Sequence, residues 1–203
     1  MLKRLQTGVS LIEVMIGLAI LAMLMAFGIP QYGSFLANAR LKAATDALSS
    51  GLSLARAEAV KRNAPVEMVL TSSDPEPGLV NGLTLTAGGP GAVTNWVVRN
   101  RDQTSGLYEF IEGKLAAEGS GKDTASVQIS ASSSTAIFTG FGGLTTGNTI
   151  TYDITNPAGG ACDTFAGARG PMRCLRITVS PGGQIRTCDP AVNPADLADT
   201  RRC

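Results

Sequence analysis

From Val9 to Ile29 every side chain is apolar or small except the carboxylate of Glu13. As a helix the run would be ~31 Å long, about the hydrocarbon thickness of a bilayer, and it predicts a membrane-spanning helix over 9–29. Beyond it the period persists and the apolar face narrows. Leu41, Ala44, Leu48, Leu52, Ala55 and Ala59 recur every three or four positions, the stripe of an amphipathic helix. Arg40, Lys42, Arg56, Glu58, Lys61 and Arg62 mostly occupy the other faces, and for Arg56, Glu58 and Arg62 a solvated surface is the favoured reading. Asn63-Ala64-Pro65 is the stop signal. One interrupted helix is therefore expected from Val9 to Asn63. Gly28 and Pro30 should bend or loosen it, because proline removes a main-chain donor and crowds the preceding turn.

After Pro65 the pattern changes from a helical period to alternation. Strands are expected at 66–70, 83–86, 96–98, 126–130, 135–139, 149–154, 175–179 and 184–187, with "TITYDIT" alternating as a half-buried strand does. Ser72 to Gly78 is a loop by its turn residues. Trp96, one aromatic among strand residues, is expected in the core. The fold class that follows is α+β: a long N-terminal helix, apolar then amphipathic, packed on an antiparallel β-sheet domain. The divisions are 1–8, 9–29, 30–64 and 65–203.

Composition removes several chemistries. The chain has 203 residues and no histidine, so triad hydrolases and most zinc sites lose their usual base or ligand. A carboxylate or Ser-Lys constellation is not evident either, and neither an enzyme, a cofactor nor a metal is expected. The 17 basic and 16 acidic residues balance to +1, which by itself points to no polyanionic partner. The four cysteines, Cys162, Cys174, Cys188 and Cys203, lie in a Gly-rich C-terminal region without C-x-x-C spacing. That favours disulfides in an oxidising compartment over a thiolate metal site. Local crosslinks Cys162–Cys174 and Cys188–Cys203 are the first choice among three pairings, and a crossed pairing stays open.

The N-terminus adds a processing signal. Lys3 and Arg4 precede the apolar run, as a cytoplasmic start requires. The run is too long for a secretory signal core, and the small residue, Gly8, stands before it rather than after. An acid inside a span costs about 2.5–3.5 kcal/mol at the bilayer centre and calls for a cation. Cleavage after Gly8 would create one, the ammonium of Val9, with Glu13 four residues on.

Gly8-Val9-Ser10-Leu11-Ile12-Glu13-Val14-Met15-Ile16 closely resembles the class III signal of type IV pilins and type II secretion pseudopilins, usually G-F-T-L-I-E. Val9 stands where phenylalanine is commonest. The resemblance implies removal of leader 1–8 by a prepilin peptidase, cleavage between Gly8 and Val9, and N-methylation of Val9. It also implies that Glu13 pairs with the N-terminus of an adjacent subunit, and that the helix stretches at Gly28 and Pro30 within a filament. "LSSGLSLARAEAVKRNAPVEMVL", Trp96-Val97-Val98 and "CLRITVSPGGQIRTCDP" are similar to the helix-to-strand segment, the W-x-V strand and the C-terminal hairpin of the GspH/FimT group. Residues 100–160 carry little of the resemblance.

Residues 160–203 hold six arginines, no lysine and four aspartates. Some FimT-type relatives take up DNA through a G-R-x-R motif in this hairpin. Here the matching positions are Gly183-Gln184-Ile185-Arg186, so one guanidinium is missing. Arg186, Arg201 and Arg202 are the candidate DNA contacts, and solvation of a sheet surface is the stronger reading.

The resemblance therefore implies a non-catalytic minor pilin of the FimU/FimT type. Such a subunit starts in the bacterial inner membrane as a single-pass protein with a periplasmic C-terminal domain. It then moves to the pilus tip at the cell surface, with other minor pilins and the major pilin as partners. The alternatives are a GspH-type pseudopilin of a type II secretion system and a DNA-binding pilin for DNA uptake.

Overall fold

The computed structural model describes residues 9–89, 94–115, 127–167 and 169–203, with residues 26–32 described by their backbone alone. The leader and Gly8 lie outside the described residues. The chain divides into two compact units, Met1–Leu36 and Ala37–Cys203.

Helix α1 runs Leu11–Arg62 without a break. The sequence predicts an interruption at Gly28 and Pro30, but the helical backbone passes through both. Losing the one donor at Pro30 does not end the helix, whose neighbouring turns keep theirs. In the first unit the apolar side chains from Val9 to Met25 are exposed on every face. Among the described residues no helix is long and apolar enough to cross a membrane. The side chains of the last part of the expected span lie outside the description.

In the second unit the predicted stripe is the buried one. Leu41, Leu48, Leu52, Ala55 and Ala59 are at most 1% exposed, and Ala44 packs against them. α1 closes on Asn63, whose positive φ of 47° lets Ala64 N–H reach back to Ala59 O at 3.2 Å. This six-to-one bond satisfies an otherwise orphaned carbonyl, and Pro65 then prevents continuation.

Among the described residues eight strands follow: β1 Val66–Thr71, β2 Asn95–Arg101, β3 Tyr108–Lys114, β4 Gln128–Ala131, β5 Thr135–Phe138, β6 Ile150–Thr155, β7 Leu175–Val179 and β8 Ile185–Cys188. They form two four-stranded sheets, ordered β3-β2-β1-β5 and β4-β6-β7-β8, and all neighbouring strands pair antiparallel. The stripe of α1 and the inner residues of both sheets, among them Met68, Val98, Phe138, Tyr152 and Ile177, form one core. A smaller cluster of Val69, Val80 and Val97 sits apart, with Tyr108 and Phe110 against it.

Two strand expectations need correction. Residues 83–86 make only an isolated bridge, Leu85 to Thr71, flanked by Ser72 N–H to Thr84 O and Thr86 N–H to Leu70 O. β3 was not predicted. It pairs with β2 through a register shift, since Val98 faces Glu112 but Arg99 faces Phe110, leaving Ile111 as the extra residue of a bulge.

Candidate functional site

At the start of α1, Ser10 O accepts the N–H groups of Glu13 at 3.0 Å and Val14 at 3.3 Å. Glu13 therefore lies in the first helical turn, exposed, where the helix macrodipole favours an anion. Val9 precedes the helix and is also exposed. Val9 and Glu13 thus share one exposed apolar segment.

The C-terminal region is built on the outer strand β8. Cys162 is bonded to Cys174 and Cys188 to Cys203. The second bridge holds the segment after β8 against that strand, and a bridge between Asp189 and Arg202 adds a short parallel contact. Arg186 donates from Nη2 to Thr200 O at 2.8 Å and to Arg202 O at 2.9 Å. Arg201 pairs with Asp199 at 2.7 Å, and Arg202 donates to the carbonyls of Leu197 and Asp199. The Arg201 side chain, with its N–H, pulls the Asp199 carboxyl down to about 2. All three candidate DNA contacts are thus engaged in holding the tail. Arg173 reaches Asp189, and Arg176 forms a two-point pair with Asp153 across β6–β7 at 2.7 and 3.1 Å.

Gly183, the first residue of the G-x-x-R hairpin match, has a packing role. Its φ is +76°, and a Cβ there would stand 1.8 Å from Gly142 O. The hairpin turn and the β5–β6 loop therefore meet main chain to main chain. Arg56 Nε donates to the same Gly142 O at 3.0 Å, so α1 joins the junction.

The charged face of α1 differs from the solvated reading in its partners. Arg62 bonds Glu58 and Glu109, and Glu58 also bonds Lys61 at 2.9 Å. Arg62 first and Lys61 second hold the Glu58 carboxyl below its ordinary range. These side chains stay largely at the surface, yet Arg56 and Arg62 tie the helix to a loop and to β3.

Sequence reasoning also missed Arg99. It is buried, paired with Glu67 across β1–β2, donates to Val80 O at 2.9 Å, and lies 3.6 Å from the Tyr108 ring centroid. The signal was present as a lone Arg inside an apolar strand, "NWVVRNR".

Two open grooves separate α1 from β8. One, about 650 Å³, is lined by Ser53, Arg56, Ala57 and Val60 of the helix and by Gln184 and Ile185. The other, about 720 Å³, lies between Leu41, Lys42 and Asp46 of the helix and Thr187 and Asp189. Among the described residues no group of three or more carboxylates or thiols is placed to hold a metal ion.

Two family models match the chain. The family described as Type II transport protein GspH matches residues 44–183, and the Prokaryotic N-terminal methylation motif matches residues 3–29. No curated protein matches the chain. Two crystal structures of the type IV minor pilin FimU of Pseudomonas aeruginosa, in space groups P21 and P65, are similar at 16% and 14% identity. Each has a TM-score of 0.46 over 72% of this chain, covering 86% and 90% of the respective FimU chain. With its GspH model matched over more than half its length, the chain belongs to the GspH family of minor pilins and pseudopilins, and it carries the prepilin-type methylation motif.

Proposed function

We propose that this protein is a non-catalytic minor pilin of the FimU/FimT type. A prepilin peptidase cleaves it between Gly8 and Val9, and the new amine of Val9 is methylated. Before assembly the segment 9–29 holds the subunit in the inner membrane with the C-terminal domain in the periplasm. The subunit then joins other minor pilins in a complex that primes the type IV pilus and caps its tip beside the major pilin. The carrying observation is the coupling, in one chain, of a methylation motif at 3–29 to a GspH domain at 44–183.

The chemistry is electrostatic and apolar. The exposed apolar helix leaves lipid for a bundle of like helices. The Glu13 carboxylate, costly alone in such a bundle, is neutralised by the N-terminal ammonium of a neighbouring subunit. Gly28 and Pro30 soften the helix where the filament needs it to extend. Glu13→Ala tests this directly. The variant should be processed and held in the membrane but absent from the complex, and its normal incorporation would contradict the pairing.

A second reading, a pseudopilin of a type II secretion system, is favoured by the description of the matching family. Proteins co-purified from intact cells separate the two: pilus subunits support the first reading, secretion-system subunits the second.

A further inference from the structure

Asparagine precedes glycine once in the chain, at Asn81-Gly82. With no side chain on the following residue, the main-chain nitrogen has its freest approach to the asparagine Cγ. Both residues are exposed, between a short 3-10 turn at Pro77–Leu79 and the bridge at Leu85. The fold itself does not require glycine at 82. Its φ is not left-handed, and a Cβ there would meet nothing nearer than Leu79 O at 3.9 Å.

The docked segment keeps the two reacting groups occupied. β3 is the edge strand of its sheet, and Tyr108, next to the bond from Asp102 N–H to Leu107 O, turns its main-chain groups away from β2. The Asn81 side chain meets those groups at two points. Its Oδ1 accepts the Tyr108 N–H at 2.6 Å, and its Nδ2 donates to Tyr108 O at 3.4 Å. The Gly82 N–H donates elsewhere, to Leu79 O at 2.9 Å. Beside them Val80 is buried with Val69 and Val97, and its carbonyl accepts from Arg99. The amide and the nitrogen that would attack it are thus tied to different partners. Both ties must break, by a local opening of residues 77–84, before the two groups meet.

We propose that Asn81-Gly82 is a site of spontaneous modification whose rate is set by the docking of Asn81 on Tyr108. In the open segment the Gly82 nitrogen gives up its proton and bonds to Asn81 Cγ. The Cγ–Nδ2 bond breaks, and ammonia leaves a cyclic imide behind. Water then adds to either imide carbonyl and breaks its bond to nitrogen, giving aspartate or isoaspartate. Neither product has the Nδ2 donor, so Tyr108 O loses that bond. Isoaspartate also routes the main chain through its Cβ, which lengthens the link between the anchored Val80 and Gly82. The modified segment no longer fits β3, and the strand edge is uncovered. The site is independent of processing at Gly8 and of the Glu13 pairing.

The test ages the full chain in detergent micelles at mildly alkaline pH and follows every asparagine by peptide mass spectrometry. Asn81 is expected to convert first, and at least about tenfold more slowly in the folded chain than in denaturant, the factor that the two Tyr108 bonds supply. Gly82→Ala fits the fold and should slow the conversion at least about tenfold, because its methyl hinders the attacking nitrogen. Val80→Ala weakens the docking and should speed the conversion about tenfold. Should that variant fail to fold, denaturant added below the unfolding transition promotes the same opening and should give the same acceleration. In the isoaspartate form the Tyr108 amide should exchange faster with deuterium. Earlier conversion of another asparagine, equal rates in folded and denatured chains, no slowing by Gly82→Ala, no acceleration on loosening, or unchanged Tyr108 exchange would overturn the proposal.

Discussion

Gly51 of α1 and Trp96 of β2 meet so closely that a Cβ on the glycine would stand 2.8 Å from Cζ3 of the indole and 2.9 Å from Cη2. Trp96 is 5% exposed and belongs to the main core, so the ring has nowhere to move. Helix propensity favours alanine over glycine by about 1 kcal/mol. Here the clash wins, and Gly51→Ala should destabilise the domain by about 1–3 kcal/mol. Thermal unfolding checks the sign. In a Trp96→Leu background the same substitution should cost much less, the coupling expected of residues in contact.

Arg99 carries a second prediction. Its guanidinium bridges Glu67, Val80 O and the Tyr108 ring in a nearly closed site. Arg99→Met leaves the Glu67 carboxylate and the Val80 carbonyl without that donor, at a cost of about 3–5 kcal/mol. Adding Glu67→Leu should recover most of the loss, because an apolar pair of similar volume avoids burying a lone charge. Chemical denaturation of the two variants decides this.

The Cys188–Cys203 bridge closes a separation of 15 residues, worth on the order of 3 kcal/mol in the chain-entropy model. Cys203→Ser should free the tail, and hydrogen exchange at the Asp189 amide, which now donates to Arg201 O, should quicken. Peptide mapping without reductant should return Cys162 with Cys174 and Cys188 with Cys203.

The tail also carries a pH dependence. Asp199 falls from its ordinary value of 3.8 to about 2, first through the Arg201 side chain and then through the Arg201 N–H. A carboxyl with a lowered folded-state value stabilises above its ordinary value and loses that contribution as pH falls through the lowered one. The Asp199–Arg201 turn should therefore hold above pH 3.8 and loosen between that value and about 2. Amide shifts of residues 199–202 during an acid titration measure it, and a midpoint near 3.8 would contradict the pairing.

The helical half of the fold was legible because burial on one face writes a three-to-four period into the sequence, from Leu41 to Ala59. The α1 stop was legible for a local reason too, since Asn63 and Pro65 act within one turn. β3 was not, because its bulge at Ile111 and the glycine at 113 break the alternation a strand otherwise shows. Residues 83–86 alternate well but lack a paired neighbour over their length, which sequence cannot report. The same limit hid the ties of Arg56 to Gly142 and Arg62 to Glu109, whose partners lie 86 and 47 residues away. Spacing showed charges on a helix face, and only the fold assigns their partners.

On the proposed function, proteolysis exposes an ammonium at Val9 for which Glu13 is the counter-charge. The most direct measurement is mass spectrometry of the N-terminal peptide of the mature protein from its native source. A peptide beginning at a methylated Val9 is expected. A mature chain that still begins at Met1 would contradict it.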